Sequence, residues 1–424
     1  MSFPKKVAIL GGIRTPFVKS QINYLGLSNQ DMLSAVVNEL VQRKKLSGKL
    51  LGDVVAGSVM SHPFDWNLSR EVVLGSPLNH DTPGMNIQRA CGTGLEAANI
   101  IAMKITTGEI DVGLGGGTDT NSDMPLILPK PLTHWLIRFR QAPSVSEKIK
   151  MLFKFKFSFL KPQIPGVYEP RTGKSMGDHT ELMVKEWKIS REEQDLLALR
   201  SHQNAARAYE EGFHNDLVME FHGLKRDTIT RGDSSLEKLL KLKPAFDKTP
   251  TGTLTAGNST PLTDGASIVL LASEDWAQNN NLEVMAYFKD CEVAAVDFVK
   301  GAGLLIAPTI AVSKLLKRNN LTLQDFDYYE IHEAFAGQVL CTLKAWESAT
   351  YCKTVLHRDQ PMGSIDRDKM NIKGGSLALG HPFAATGGRI LATAAKILKE
   401  KVQGRILISI CTAGGMGIAA IIER

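Results

Sequence analysis

The chain has 424 residues, 43% of them hydrophobic and 22% charged, with a formal net charge of +6. This is globular usage, which excludes a disordered chain, and five scattered cysteines, an odd number, exclude a disulfide framework. No run has the uninterrupted apolar length of a signal-peptide core or a membrane span, so a cytoplasmic protein of two or three domains is expected.

The predicted elements alternate from the start. KVAIL opens as a strand, and NQDMLSAVVNELVQRK follows as an amphipathic helix. VVAGSVM, EAANIIAMKI and DVGLGGG then read as strand, helix and strand. Strands alternating with helices of this length predict a layered α/β fold with a mostly parallel sheet.

Cys91 precedes the second of these helices. Leu95, Ala98, Ala102 and Ile105 share one helical face, so the helix starts near the thiol. Unpaired N–H groups and the positive dipole end would favour thiolate and lower its pKa from about 8.5. Gly92 and Gly94 would leave room for a substrate. Read alone, a cysteine such as Cys91 is more often an inert buried thiol. GLGGGT at 113–118 fails as a dinucleotide fingerprint, because Thr118 stands where the last glycine belongs.

Residues 122–250 interrupt the alternation and read as an inserted, mainly helical unit, with SREEQDLLALRSHQNAARAYEEG its clearest helix. Residues 134–161 carry seven Lys and Arg against a single acid, Glu147, and KFKFSF within them alternates like a strand. GASIVLLAS then resumes the α/β pattern. In DYYEIHEAFAGQVLCTLKAW a strand ends near His332 and a helix follows. Glycines surround His381 in GGSLALGHPFAATGGR, where Pro382 suits a first helical turn and the helix end would keep the imidazole neutral. RILISICTAGGMG ends a buried strand at Cys411 in a small-residue turn whose N–H groups suit an oxyanion. Cys91–helix–DVGLGGG and His381–helix–RILISIC share one plan, which suggests a duplicated unit with the two side chains in equivalent places.

With Cys91, HEAF at 332–335, GHP at 380–382 and CTAGG at 411–415 in this order, the chain resembles the thiolase family. The likeness runs from IRTPF near the start to the last strand, and TAGNSTPLTDGAS at 255–267 resembles the family's coenzyme A segment. The resemblance implies two duplicated α/β halves in an αβαβα arrangement. Residues 1–121 with 253–281 would form the first half, 122–252 the inserted loop domain, and 282–424 the second half. It implies Cys91 as the acyl-carrying nucleophile, His381 as its activator, Cys411 as acid/base and His332 beside the thioester oxygen. Backbone N–H groups of Cys91 and Ala413 would form an oxyanion hole. Met176, Arg231, Ala256, Thr260 and Phe335 would contact CoA, which is a substrate, and no metal or separate cofactor is implied.

His332, where biosynthetic members usually have asparagine, resembles the thiolase subunit of fatty-acid oxidation complexes. The implied activity is CoA-dependent cleavage of a 3-oxoacyl-CoA in β-oxidation. Alternatives are acetoacetyl-CoA synthesis from two acetyl-CoA, a β-ketoacyl synthase, and a catalytically silent scaffold subunit. Acyl-CoA, CoA, further copies of the chain and a hydratase/dehydrogenase α subunit are the implied partners, and no nucleic acid. The basic, aromatic segment 134–161 would touch an anionic membrane or that subunit, or else pack on itself.

Overall fold

The protein is described by a computed structural model covering residues 5–161 and 166–424. Residues 1–4 of the expected first half and 162–165 of the expected insert lie outside the described residues. The chain opens with β1 (Val7–Arg14), β2 (Val18–Lys19), α1 (Asn29–Arg43), β3 (Asp53–Ala56), α2 (Leu68–Leu74), β4 (Gly84–Asn86), α3 (Thr93–Thr106) and β5 (Val112–Asp119). The insert carries α4 (Lys130–Gln141), α5 (Val145–Leu152), α6 (Met176–Glu186), α7 (Arg191–Glu210) and α8 (Leu236–Leu240). Next come β6 (Thr263–Ser273), α9 (Glu274–Asn279), β7 (Ala286–Ala295), α10 (Pro308–Arg318), β8 (Tyr328–Ile331) and α11 (Ala336–Glu347). The chain ends with α12 (Ala349–Thr354), α13 (Ser376–Leu379), α14 (Thr386–Lys401), β9 (Arg405–Thr412) and β10 (Met416–Glu423).

The strands form one sheet in the order β4-β3-β5-β6-β1-β7-β10-β9-β8, with β2 against β6. Read from its middle outwards, the order repeats in both directions: β1, β6, β5, β3 one way and β7, β10, β9, β8 the other. Pair directions repeat too. β3–β5 and β8–β9 are parallel, and β5–β6 and β9–β10 antiparallel. Even the outer parallel β3–β4 pair has a counterpart in the Tyr329–Met370 bridge. The two halves are therefore copies of one plan.

The sheet is mixed, which corrects the expectation of a mostly parallel one. Helical crossovers produce the parallel pairs. β9 and β10, however, are joined by only Ala413–Gly415, and a connection that short can link only antiparallel strands. At the equivalent point of the first half, between β5 and β6, the chain makes the long excursion of residues 120–262.

Alternation along the strands sorts the core into layers. Ala8, Leu10, Val54, Leu114, Ile268 and Leu270 face α1 and α2. Leu407, Ala419 and Ile421 face α10 and α11. Val7, Ile9, Val269 and Leu271 of one half and Ile408, Ile410, Ile418 and Ala420 of the other all face α3 and α14. The central helices are thus covered on both sides, which gives the αβαβα layering. Full burial of Leu95, Ile101 and Ile105 of α3 stabilises the fold by about 1.5–3 kcal/mol each. Arg14, in the IRTPF segment, donates both amino groups to Asp227 at 2.5 and 2.7 Å and ties β1 to the insert.

Within the insert KFKFSF is not a strand. Residues 153–154 form a turn, 155–156 are irregular, and a short 3-10 segment, Phe157–Leu160, follows. Among the described residues no strand pairs with it, and Phe155 turns back onto Trp135, 5.0 Å between centroids. Among the described residues no helix is long and apolar enough to cross a membrane.

The central helices start very close together. A Cβ on Gly94 would lie 2.6 Å from the Ala384 carbonyl oxygen and 2.8 Å from the Gly388 nitrogen, and one on Gly387 would overlap the Leu95 nitrogen. Gly92 would meet Ile418 and Thr412. These glycines make room for protein rather than for substrate, which corrects the reading of Gly92 and Gly94. Gly387→Ala is expected to lower stability by about 1–3 kcal/mol through overpacking, outweighing a gain of about 1 kcal/mol in helix propensity. Urea denaturation with an unchanged or raised midpoint would contradict this.

Candidate functional site

Cys91 sits two residues before the first residue of α3, on a turn that the neighbouring side chains hold in place. Ala90 has φ +44°, a left-handed conformation costly for a residue with a Cβ. The Thr93 hydroxyl donates to the Ala90 carbonyl at 2.7 Å and accepts from the Arg89 N–H at 2.9 Å, closing the turn. The strain is local, and its effect is to present the thiol beside the start of α14.

His381 lies in the matching loop before α14. Pro382 does not begin that helix: a 3-10 turn, Phe383–Ala385, intervenes, and α14 starts at Thr386. The His381 Nε2 lies 3.1 Å from the Cys91 Sγ, its Nδ1 2.6 Å from the Thr386 hydroxyl, and its N–H donates to Thr263 at 2.9 Å. The ring is therefore held with Nε2 towards sulfur.

His332, just after β8, places its ring centroid 4.2 Å from that of His381. Its Nδ1 is 2.8 Å from the Ser376 hydroxyl, which accepts from the Arg389 Nη2 at 2.6 Å. Its Nε2 is buried without a partner. Cys91, Cys411, Ala413, His381, Met176, Thr260 and Phe335 line one chamber of about 250 Å³. A second chamber of about 300 Å³ meets it at Cys91, Met176, Val167, Phe383 and Ala413, and extends past Val59, Met60, Tyr168 and Met416. Ala256 and Arg231 line neither and are exposed, the Arg231 N–H donating to His202.

Burial dominates the electrostatics. It pushes the Cys91 thiol up to about 12, against the pull of the Ala413 N–H. The expected lowering by the helix end is therefore overturned: a charge in this dry site costs more than one helix terminus returns. Burial, with the positive charge of Arg389, takes His381 down to about 3, and His332 falls well below its usual range by burial and then through its neighbours His381 and Arg389. The Cys411 thiol is raised by burial and by Cys91. At neutral pH the resting centre is uncharged: two thiols and two imidazoles, with His381 free to accept a proton.

Several residues here escaped the sequence reading. The Glu169 carboxylate, 6% exposed, accepts the Gly414 N–H at 2.6 Å and so ties the insert to the turn after Cys411. The carboxylate of Asp119, at the end of β5, accepts N–H groups of Val59, Met60 and Ala384, and burial raises it to about 7. Ser376 and Arg389 hold His332. A serine four residues before GHP and an arginine in a helix rich in small residues gave the only hints, and neither named a partner.

The profile of the thiolase N-terminal domain matches residues 7–275, and that of the thiolase C-terminal domain residues 282–424. The chain is 40% identical to a protein named 3-ketoacyl-CoA thiolase from Shewanella sp. (strain W3-18-1), over 99% of this chain and 97% of that one. It is 39% identical, with the same coverage, to the protein of that name from Yersinia pestis (strain Pestoides F). Among solved structures it resembles the Bacillus anthracis acetyl-CoA acetyltransferase (TM-score 0.83, 28% identity, all of both chains). It also resembles the human mitochondrial 3-ketoacyl-CoA thiolase in complex with CoA (TM-score 0.81, 28% identity, 100% of this chain and 99% of that one).

A neutral resting thiol has a kinetic signature. Alkylation of Cys91 by iodoacetamide, followed by peptide mass spectrometry, is expected to be slow at pH 7 and to rise about tenfold per pH unit beyond pH 9. A plateau below pH 8 would show that the resting thiolate is already formed.

Proposed function

The chain belongs to the thiolase family, and from that premise we propose that it is a 3-oxoacyl-CoA thiolase working in the degradative direction. The observation that carries the reading is the 3.1 Å Cys91–His381 pair opening onto a chamber that also holds Cys411 and Ala413. In this reading the His381 Nε2 takes the Cys91 proton as sulfur attacks the ketone carbon of a 3-oxoacyl-CoA. The oxyanion is met by the N–H groups of Cys91 and Ala413, which are fixed before the charge develops. The C2–C3 bond then breaks, its electron pair forming the enolate of acetyl-CoA, and the acyl group stays on Cys91 as a thioester. His332 and His381 face the enolate oxygen, and Cys411 protonates its carbon. CoA then attacks the thioester, its thiol proton passing through the same groups, and the shortened acyl-CoA leaves.

High thiol pKa values suit this sequence. Cys411 remains a proton carrier at pH 7, and Cys91 ionises only as the carbonyl arrives. Met176, Thr260 and Phe335 make the first chamber the seat of the pantetheine arm, with Arg231 outside it near the adenosine phosphates and Ala256 on the exposed part of the same loop. The apolar second chamber takes the acyl chain. Residues 1–121 with 253–281, 122–252 and 282–424 serve as first half, loop domain and second half.

Thiolysis of acetoacetyl-CoA and of a long-chain 3-oxoacyl-CoA tests the reading. Both are expected to be cleaved, with Cys91→Ala reducing kcat by about 10⁴-fold or more. No CoA-dependent cleavage of either substrate would overturn it. Cleavage of acetoacetyl-CoA alone would remove the acyl role of the second chamber.

The segment 134–161 is assigned to an anionic membrane surface. Trp135 stacks on Phe139 and meets Phe155 edge-on, while Phe153 and Phe157 stand 88% and 85% exposed among the lysines. Apolar rings beside basic side chains suit the headgroup boundary. Because Phe155 packs inward, the informative variant is Phe153→Ser with Phe157→Ser. It is expected to abolish flotation with phosphatidylserine vesicles and leave thiolysis intact; unchanged flotation would dismiss the membrane role.

A further inference from the structure

The three side chains at the centre also have the chemistry of a metal site. We propose that Cys91, His332 and His381 bind a borderline-soft divalent cation, zinc above all, as a reversible inhibitor that occupies the nucleophile. One donor atom from each residue lies within 4.8 Å of the other two. The Cys91–His381 separation is 3.1 Å. A tetrahedral zinc, with bonds of about 2.0–2.1 Å to nitrogen and 2.3 Å to sulfur, sets its donors roughly 3.4–3.6 Å apart. The centre therefore opens slightly between Cys91 and His381, and the His332 donor has at most about 1.4 Å to close.

Ring anchoring strengthens the case. Each imidazole is held through Nδ1 by a hydroxyl, His381 by Thr386 at 2.6 Å and His332 by Ser376 at 2.8 Å. Such outer partners are what fix the tautomer and direction of metal-bound histidines. Ser376 accepts from Arg389, and its second acceptor position can take the His332 Nδ1–H when Nε2 becomes a ligand. That Nε2 is buried without a hydrogen bond, in a residue 1% exposed. A cation gives it a partner.

Three protein ligands leave a fourth position for water or a thiol, and the chamber of about 250 Å³ that ends at Cys91 provides the way in. Thiolate and imidazole suit zinc, whereas magnesium, which requires oxygen ligands, finds none among the three. Binding forms the zinc–sulfur bond as Cys91 releases one proton to solvent, and nothing is oxidised or reduced. The inference depends on the geometry of the three residues and not on the thiolase reading.

The test uses chelator-stripped full-length protein titrated with ZnCl₂ by calorimetry in two buffers of different ionisation enthalpy, with CoCl₂ as spectroscopic probe. Expected are one zinc and one released proton per chain, suppressed Cys91 alkylation, and a near-ultraviolet cobalt–thiolate band. Thiolysis is lost at saturation and restored by EDTA. Magnesium has no effect. Cys91→Ser is expected to remove the cobalt band, and His332→Gln and Ser376→Ala to weaken zinc about tenfold or more, in proteins whose thermal melting confirms folding. Zinc affinity unchanged in folded Cys91→Ser and His332→Gln, or no binding to the parent protein, would overturn the proposal. A cobalt band in a protein without thiolysis would leave it standing while the acyl-transfer reading fell.

Discussion

The constraint on which the centre depends is the approach of two backbones where α3 and α14 begin. Neither Gly94 nor Gly387 has space for a methyl group, because each faces main chain of the other helix. That approach sets Cys91 against His381 although 290 residues separate them. It also puts both helices in the middle layer, where one half of the sheet covers them from each side. A bulkier pair at the crossing would part the helices, and with them the sulfur and the imidazole.

Bringing polar groups into the middle layer has an electrostatic cost, and the protein meets it by keeping them neutral. The helix ends are present, but desolvation outweighs them at Cys91, and at His381 it acts with them against imidazolium. The one strong cation nearby, Arg389, is itself buried and lies among Ser376, Glu330 and Glu333. Burial draws its pKa down to about 10, and it remains a cation at neutral pH. A fixed positive charge behind two neutral histidines discourages imidazolium and favours any negative charge that forms in front of them.

What the residues announced, and what they concealed, follows from range. The strand–helix alternation, the helix after Cys91 and the repeated plan around His381 are local patterns, and they were legible. Strand direction was not: nothing in VGLGGGTD or in TDGASIVLLAS says that they lie antiparallel, since the excursion between them could have returned either way. KFKFSF alternated as a strand does, but without a neighbouring edge Phe155 gained more against Trp135. Glu169 and Asp119 act through backbone groups far away in sequence, and Ser376 through the side chains of His332 and Arg389; such contacts leave no spacing to read. The glycines at 92 and 94 were visible, yet whether the space they spare belongs to ligand or to protein depends on α14.

The repeated sheet gives the two β-to-β connections different fates. The same point of the plan is a three-residue turn in one half and residues 120–262 in the other. The short turn lies beside the chambers, with Cys411 near the end of the strand that enters it and Ala413 as its first residue, and any added residue there would displace them. The long one rises from the opposite copy to become their roof, and Glu169 reaches down from it to Gly414. One connection of the repeated plan is thus held to three residues, while its counterpart carries the whole insert.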